Sequence, residues 1–264
     1  MKIEELENCP FWLKEADTED ANVDIIDGVV HWYSGTWKQG FWKEGIWWDG
    51  TWWAGTWKTG IWHNGTWRRG YWEAGTWHDG TWISGNWSSG SWYNGNWENG
   101  RWVKGTWYDG RWYDGTWLTG LWVKGTWLKG IHHAGVWQNG VWYRGVWYNG
   151  RWLNGTWHDG NWFEGIWKTG SWNNGNWVDG TWNDGNWHNG YWTDGTWEAG
   201  TWDKGIWLRG IWRNGTWKDG FWSNGLWEGG VWEGGAWCSG IWEGGKWIKG
   251  VWRQGFPIPV LLQL

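Results

Sequence analysis

The sequence is short of almost everything that makes a chain irregular. Its 264 residues include three prolines, two cysteines and one methionine. Pro10, Pro257 and Pro259 lie near the ends, and none falls between residues 31 and 255. Proline cannot donate to a sheet ladder, so that stretch is free to form an unbroken one. Cys9 and Cys238 are too few for a disulfide framework and are expected to be reduced and structurally incidental. No apolar run approaches the roughly 18 residues of a membrane helix, and no signal-peptide pattern opens the chain. The expectation is a cytoplasmic or virion-associated protein with no membrane partner. The net charge is −5, and residues 1–30 hold nine acidic residues against two lysines. The remainder is nearly neutral, with signs alternating as on a solvated face. That pattern argues against a nucleic-acid partner.

What is present is a repeat. The unit x-Trp-x-x-Gly runs from His31 to Gly255 without insertion or deletion, giving 45 consecutive pentads. Tryptophan fills the second place of 44 of them, from Trp32 to Trp252, and the exception is His132. A fixed period means one small unit stacked many times, and it leaves no room for the irregular loops that usually carry active sites.

The pentad explains itself if its places are numbered one to five. Place one is rich in the strand formers Thr, Ile and Val. Place four is Asn or Asp in 19 pentads and is always followed by glycine, which reads as a turn. Each unit is then a very short strand followed by a corner. Residues two apart share a face of a strand, so Trp and the preceding Gly point one way and place one the other. Charged residues at place three cannot be buried. Trp and Gly are therefore expected inside, with Trp37, Trp42, Trp142 and Trp202 as examples of the core. An exposed row of 44 indoles would far exceed the apolar patches that monomers tolerate. The reading is an all-β solenoid (β-helix) with an internal Trp ladder.

Three segments follow: an acidic cap over 1–30, the solenoid over 31–255 and an apolar tail over 256–264. Within the cap, Asn22–Ile26 and Val29–Tyr33 flank Asp27-Gly28, a strong hairpin signal. Phe11 and Trp12 are the expected anchors over the open end of the first coil. In the tail, Phe256, Ile258, Val260, Leu261, Leu262 and Leu264 make a candidate docking peptide.

Five-residue periodicity with one large and one small inward residue resembles the pentapeptide-repeat family. The resemblance covers residues 31–255 in period and in-out logic, with Trp and Gly where that family has Leu or Phe and Ala, Ser or Cys. It implies a right-handed quadrilateral β-helix with four pentads per coil. The matching 20-residue register places Thr at seven of 11 place-one positions read from Thr36. A 15-residue register enriches Thr as well, at eight of 15. Four pentads per coil is the expectation, giving roughly 11 coils at the strand spacing of about 4.8 Å. The phrase Gly-Thr-Trp-x-x-Gly is similar to a fragment of MORN repeats, whose longer period is absent. Trp-Gly arrays opening with Val-x-Ile…Gly-Val-x-x-Trp look like arrays among tailed-phage gene products, which implies a virion component.

No catalytic constellation accompanies the repeat. There is no Cys-x-x-Cys, no His-Glu-x-x-His and no phosphate loop, because Gly-x-x-x-x-Gly is simply the period here. No enzyme activity, cofactor or metal is expected. His132-His133 reads as a tolerated break, since adjacent strand residues point to opposite faces and would not chelate one ion. In the 20-residue register, Ile83, Val103, Val123, Tyr143 and Phe163 form an exposed apolar stripe, with Tyr93, Tyr113 and His133 on another face. The expected function is a non-catalytic structural or interaction module in a larger assembly, engaging protein partners through the tail or the coil ends. The alternative is a carbohydrate-binding module using exposed aromatics such as Tyr93, Tyr113 and Trp53.

Overall fold

The computed structural model describes Ile3 and residues 6–253. The chain forms two compact units, Met1–Gly135 and Val136–Leu264. The tail residues singled out above, Phe256 to Leu264, lie outside the described residues.

The first unit opens with helix α1 (Phe11–Lys14), strand β1 (Asp17–Ile26) and strand β2 (Val29–Gln39). Asp27 and Gly28 turn the chain with φ of 51° and 79°. Two successive positive φ values are what a type I′ hairpin turn requires. β1 runs antiparallel to β2 from Ile26 opposite Val29 to Asp17 opposite Gln39, with irregularities around Asp20 and Ala21 that let it follow the first coil around a corner. Val23 and Val30 are buried between this hairpin and the coil. The otherwise bare edge of the first coil is thereby paired, as a sheet edge exposed to water must be managed. Trp12 completes the lid by meeting Trp42 edge-on, with ring centroids 5.2 Å apart. Leu13 is fully buried, whereas Phe11 is 77% exposed. The anchoring pair is therefore Trp12 and Leu13 rather than Phe11 and Trp12. In a single turn of helix, Phe11 and Leu13 cannot both face the coil.

Within each unit the x–Trp dipeptides from His31 onward are strands, and those of successive coils pair in parallel at a separation of three pentads. Thr76 lies opposite Ser91 and Trp77 opposite Trp92. In the second unit Thr156 lies opposite Ser171 and Trp157 opposite Trp172. A coil is thus three pentads, a 15-residue repeat, which corrects the expected four pentads and 20-residue repeat. At three to the coil, the 21 pentads of the first unit make seven coils and the 24 of the second make eight. The ladder bonds repeat with the same period: the Thr76 N–H donates to the Gly60 carbonyl at 2.9 Å, and the His78 N–H to the Trp62 carbonyl at 2.7 Å.

The size of the indole explains three rather than four. Along the chain, consecutive tryptophans meet edge to face; Trp77 and Trp82 lie 6.0 Å apart at 73°. Between coils they stack: Trp67 and Trp82 lie 4.7 Å apart at 5°. Both geometries are favoured for aromatic pairs. Consecutive indoles meeting edge to face around a three-sided coil fill its cross-section to the density of a protein interior, and a fourth side would open an unfilled centre. Trp37, Trp42, Trp142 and Trp202 all have no solvent exposure. The indole N–H groups of Trp77 and Trp82 are buried with no oxygen or nitrogen acceptor. Ring contacts alone offset their desolvation. Trp222 differs, because its Nε1 donates to the Ser239 carbonyl at 3.1 Å.

The corner glycines serve a different purpose from the expected inward small residue. Gly90 has φ of 131°, a conformation that side chains resist, and a Cβ there would collide with the carbonyl oxygen of Gly75 one coil earlier. What glycine admits is the neighbouring coil's backbone, not an indole alone. The residue before it supports the corner: Oδ1 of Asp49 accepts the Gly50 N–H at 2.7 Å, and Asn99 and Asp159 do the same for their glycines. Among the described residues no helix is long and apolar enough to cross a membrane.

Candidate functional site: the outward rows

A 15-residue coil redistributes the residues singled out on a 20-residue register. In the first unit Ile83, Val103 and Val123 follow Trp82, Trp102 and Trp122, which belong to three different faces. Tyr93, Tyr113 and His133 are likewise split among the three faces. In the second unit Tyr143 and Phe163 adjoin Trp142 and Trp162, again on separate faces. Neither proposed stripe exists, because positions four pentads apart are offset by one face.

The rows that do exist join every third pentad. Trp48, His63, His78, Tyr93 and Tyr108 stack in one continuous outer ladder, with successive ring centroids 4.2, 4.9, 5.1 and 4.7 Å apart. Their planes are within 14° of parallel. Each ring therefore covers its neighbour's face and turns only its edge to water. Burial, and then the neighbouring His78, lowers the His63 pKa. An imidazole lone pair lies in the ring plane, so these parallel rings do not aim at a common ion. Among the described residues no three metal-ligating side chains cluster.

The second unit carries a polar counterpart. The Tyr143 ring stacks on His158, whose Nδ1 lies 3.0 Å from Nδ2 of Asn173. In the same row His188 Nδ1 is 2.6 Å from Asp203, which also pairs with Lys218 at 2.9 Å. Burial pushes the Asp203 carboxyl up, but hydrogen bonds from Lys218 and His188 outweigh it and hold the pKa below the usual carboxylate range. Such pairs one coil apart recur, as in Lys124–Asp109, Lys129–Asp114 and Arg209–Asp194. Exposed pairs of this kind contribute little individually.

At one place a cation meets an aromatic ring instead of a carboxylate. Trp53 stands at place three of its pentad, outside the core, and is 43% exposed. The Arg68 guanidinium lies 4.3 Å from its ring centroid, a cation–π contact. Trp53 and Arg68, with Arg69, Lys38, Thr36 and Thr51, line a cleft of about 600 Å³ whose far wall carries Asp17 and Glu19. Glu19 is paired with Lys38 at 3.3 Å. Arg68 and Arg69 have no ion pair among the described residues. The sequence signal was available, since only Trp12, Trp48 and Trp53 fall outside place two.

His132 occupies the core position of its pentad and is 1% exposed. Its ring lies 6.1 Å from Trp117 at 10°. Burial, reinforced by His133, lowers its pKa to about 3 and keeps it neutral. His133 points outward and is exposed. Cys9 and Cys238 are free thiols, and burial raises the Cys9 pKa.

No known family profile matches this chain, and no curated protein is significantly similar to it. A solved structure from Desulfovibrio desulfuricans G20, named provisionally as an acetyltransferase, aligns over 78% of this chain and 66% of its own. The identity is 6% and the TM-score 0.11. That likeness carries no argument about fold or activity.

Proposed function

We propose that the protein is a non-catalytic structural and interaction module of a larger assembly, with a virion as one setting for it. Support comes from the uniformity of each unit: one ladder geometry and one ring stack repeat coil after coil, as in a stiff spacer whose stability belongs to the whole stack. The observation that carries the interaction part lies at the end of the second unit. Ile241, Ile248 and Val251 are 63%, 53% and 56% exposed, beside the half-buried Trp242 and Trp252. Exposed apolar surface at a coil end, next in sequence to an uncharged apolar segment, suits docking to protein. Deleting residues 256–264 is expected to abolish assembly, followed by light scattering, and to leave the melting transition in place. Unchanged assembly would remove the tail from the reading.

The carbohydrate alternative loses its original basis in Tyr93 and Tyr113. The faces of Tyr93 are covered by His78 and Tyr108, and Tyr113 lies on another face. Sugar rings pack on aromatic faces, not edges. Trp53 keeps that reading open through the ring face that Arg68 does not cover.

A further inference from the structure

We propose that the cleft beside Trp53 binds an acidic carbohydrate, a uronate-bearing chain whose carboxylate is held by Arg68 and Arg69 while a sugar ring packs against the indole. This site is independent of the assembly role proposed above. Lys124, Lys129, Arg209 and Lys218 each meet a carboxylate from the preceding coil. The residues one coil away from Arg68 are Trp53 and Ile83, and those one coil away from Arg69 are Ala54 and Ser84. Arg68, packed on Trp53, and Arg69 line the same cleft with no carboxylate one coil away, and their planar forks suit an external carboxylate taken bidentately.

The remaining walls restrict the ligand. Arg68 lies over one face of the Trp53 indole, and the face it leaves uncovered offers a flat apolar surface to the C–H side of a sugar. Thr36 and Thr51 supply hydroxyls on the adjoining row, and the cleft volume falls in the range of ligand sites. Its lining side chains come from three successive coils, so at about 4.8 Å per coil it spans about 10 Å, room for a short oligosaccharide. Asp17 and Glu19 on the cap wall confine an anion to the arginine side. The same acidic wall disfavours a nucleic-acid strand, which needs a continuous basic track.

The test is calorimetry on the full chain with an oligogalacturonate, a neutral cello-oligosaccharide and an oligothymidylate. The oligogalacturonate is expected to bind, more weakly as salt is raised, and the neutral sugar not to bind. Trp53→Ala, and separately Arg68→Gln with Arg69→Gln, should each weaken binding at least about tenfold. Arg209→Gln should leave it unchanged. All these side chains lie outside the core, and near-ultraviolet circular dichroism of the indole stack checks the fold of each variant. Should Trp53→Ala disturb that signal, the double arginine variant, which leaves the indole in place, decides the matter. Absence of uronate binding by the unaltered protein, binding that survives both variants, or equal affinity for oligothymidylate would overturn the proposal.

Discussion

The carbonyl oxygen of Gly75 occupies the space where a Cβ on Gly90 would stand. The same relation joins each corner glycine described above to the one a coil before it, and it makes the corner column intolerant of any side chain. Gly90→Ala has to relieve both a collision with backbone and a φ of 131°. The backbone conformation alone costs about 1–3 kcal/mol. A large fall in the urea midpoint is expected. Gly229→Ala is the control: it sits at place four without positive φ, and its Cβ would stand 3.3 Å from the Arg213 carbonyl. Equal losses for the two variants would contradict this account.

Trp82 has indoles on both faces, Trp67 and Trp97, and meets Trp77 and Trp87 edge-on. Replacing it by alanine leaves a cavity that the stack cannot close, at a cost of about 3–5 kcal/mol. Trp82→Phe retains the ring contacts and removes an N–H that has no acceptor, so it should cost distinctly less. Chemical denaturation of both variants measures the difference, and a Trp82→Ala cost near zero would refute a close-packed core.

Place four is a smaller and separable contribution. Asp49→Ala removes the acceptor of the Gly50 N–H. The expected loss is about 0.5–1.5 kcal/mol, with Asp49→Asn close to neutral because the Oδ1 is kept. Denaturant midpoints distinguish the two.

His132 makes stability depend on pH. Its pKa is about 3 in the folded chain, against 6.5 for an ordinary histidine. Between those values the unfolded chain binds a proton that the folded chain refuses. The stability present above pH 6.5 is therefore lost as pH falls toward 3, by about 1.4 kcal/mol per pH unit. His132→Phe should remove that component, so the stability difference between the variant and the original chain should widen on acidification and level off below pH 3. A pH-independent difference would mean that His132 is solvated.

Much of the fold was legible because each pentad place has its own chemistry. Trp at place two had to be buried, and Asp27-Gly28 had to turn the hairpin. The number of pentads in a coil was not, because no single pentad encodes it; three indoles meeting edge to face decide it. Threonine at place one misled, since it is enriched in both the three-pentad and the four-pentad register and answers to strand propensity alone. Place three held the better signal. Tyr33, Trp48, His63, His78, Tyr93 and Tyr108 are six aromatic residues at intervals of three pentads. The Trp53 cleft was only half visible: the tryptophan out of place stood in the sequence, but its meeting with Arg68 and Arg69 and with the cap wall depends on coil size.

A three-pentad coil also determines how such a protein can change in length. Within either unit, removing a single pentad leaves the indoles of the interior coils with partners above and below, yet carries the outward residues after it in that unit onto the next face. The interior would not register the loss, while every row of surface contacts would be broken and rejoined differently. Removing three pentads spares both. Length can drift by single pentads as far as folding is concerned, but only by whole coils if what is written on the surface is to be inherited intact.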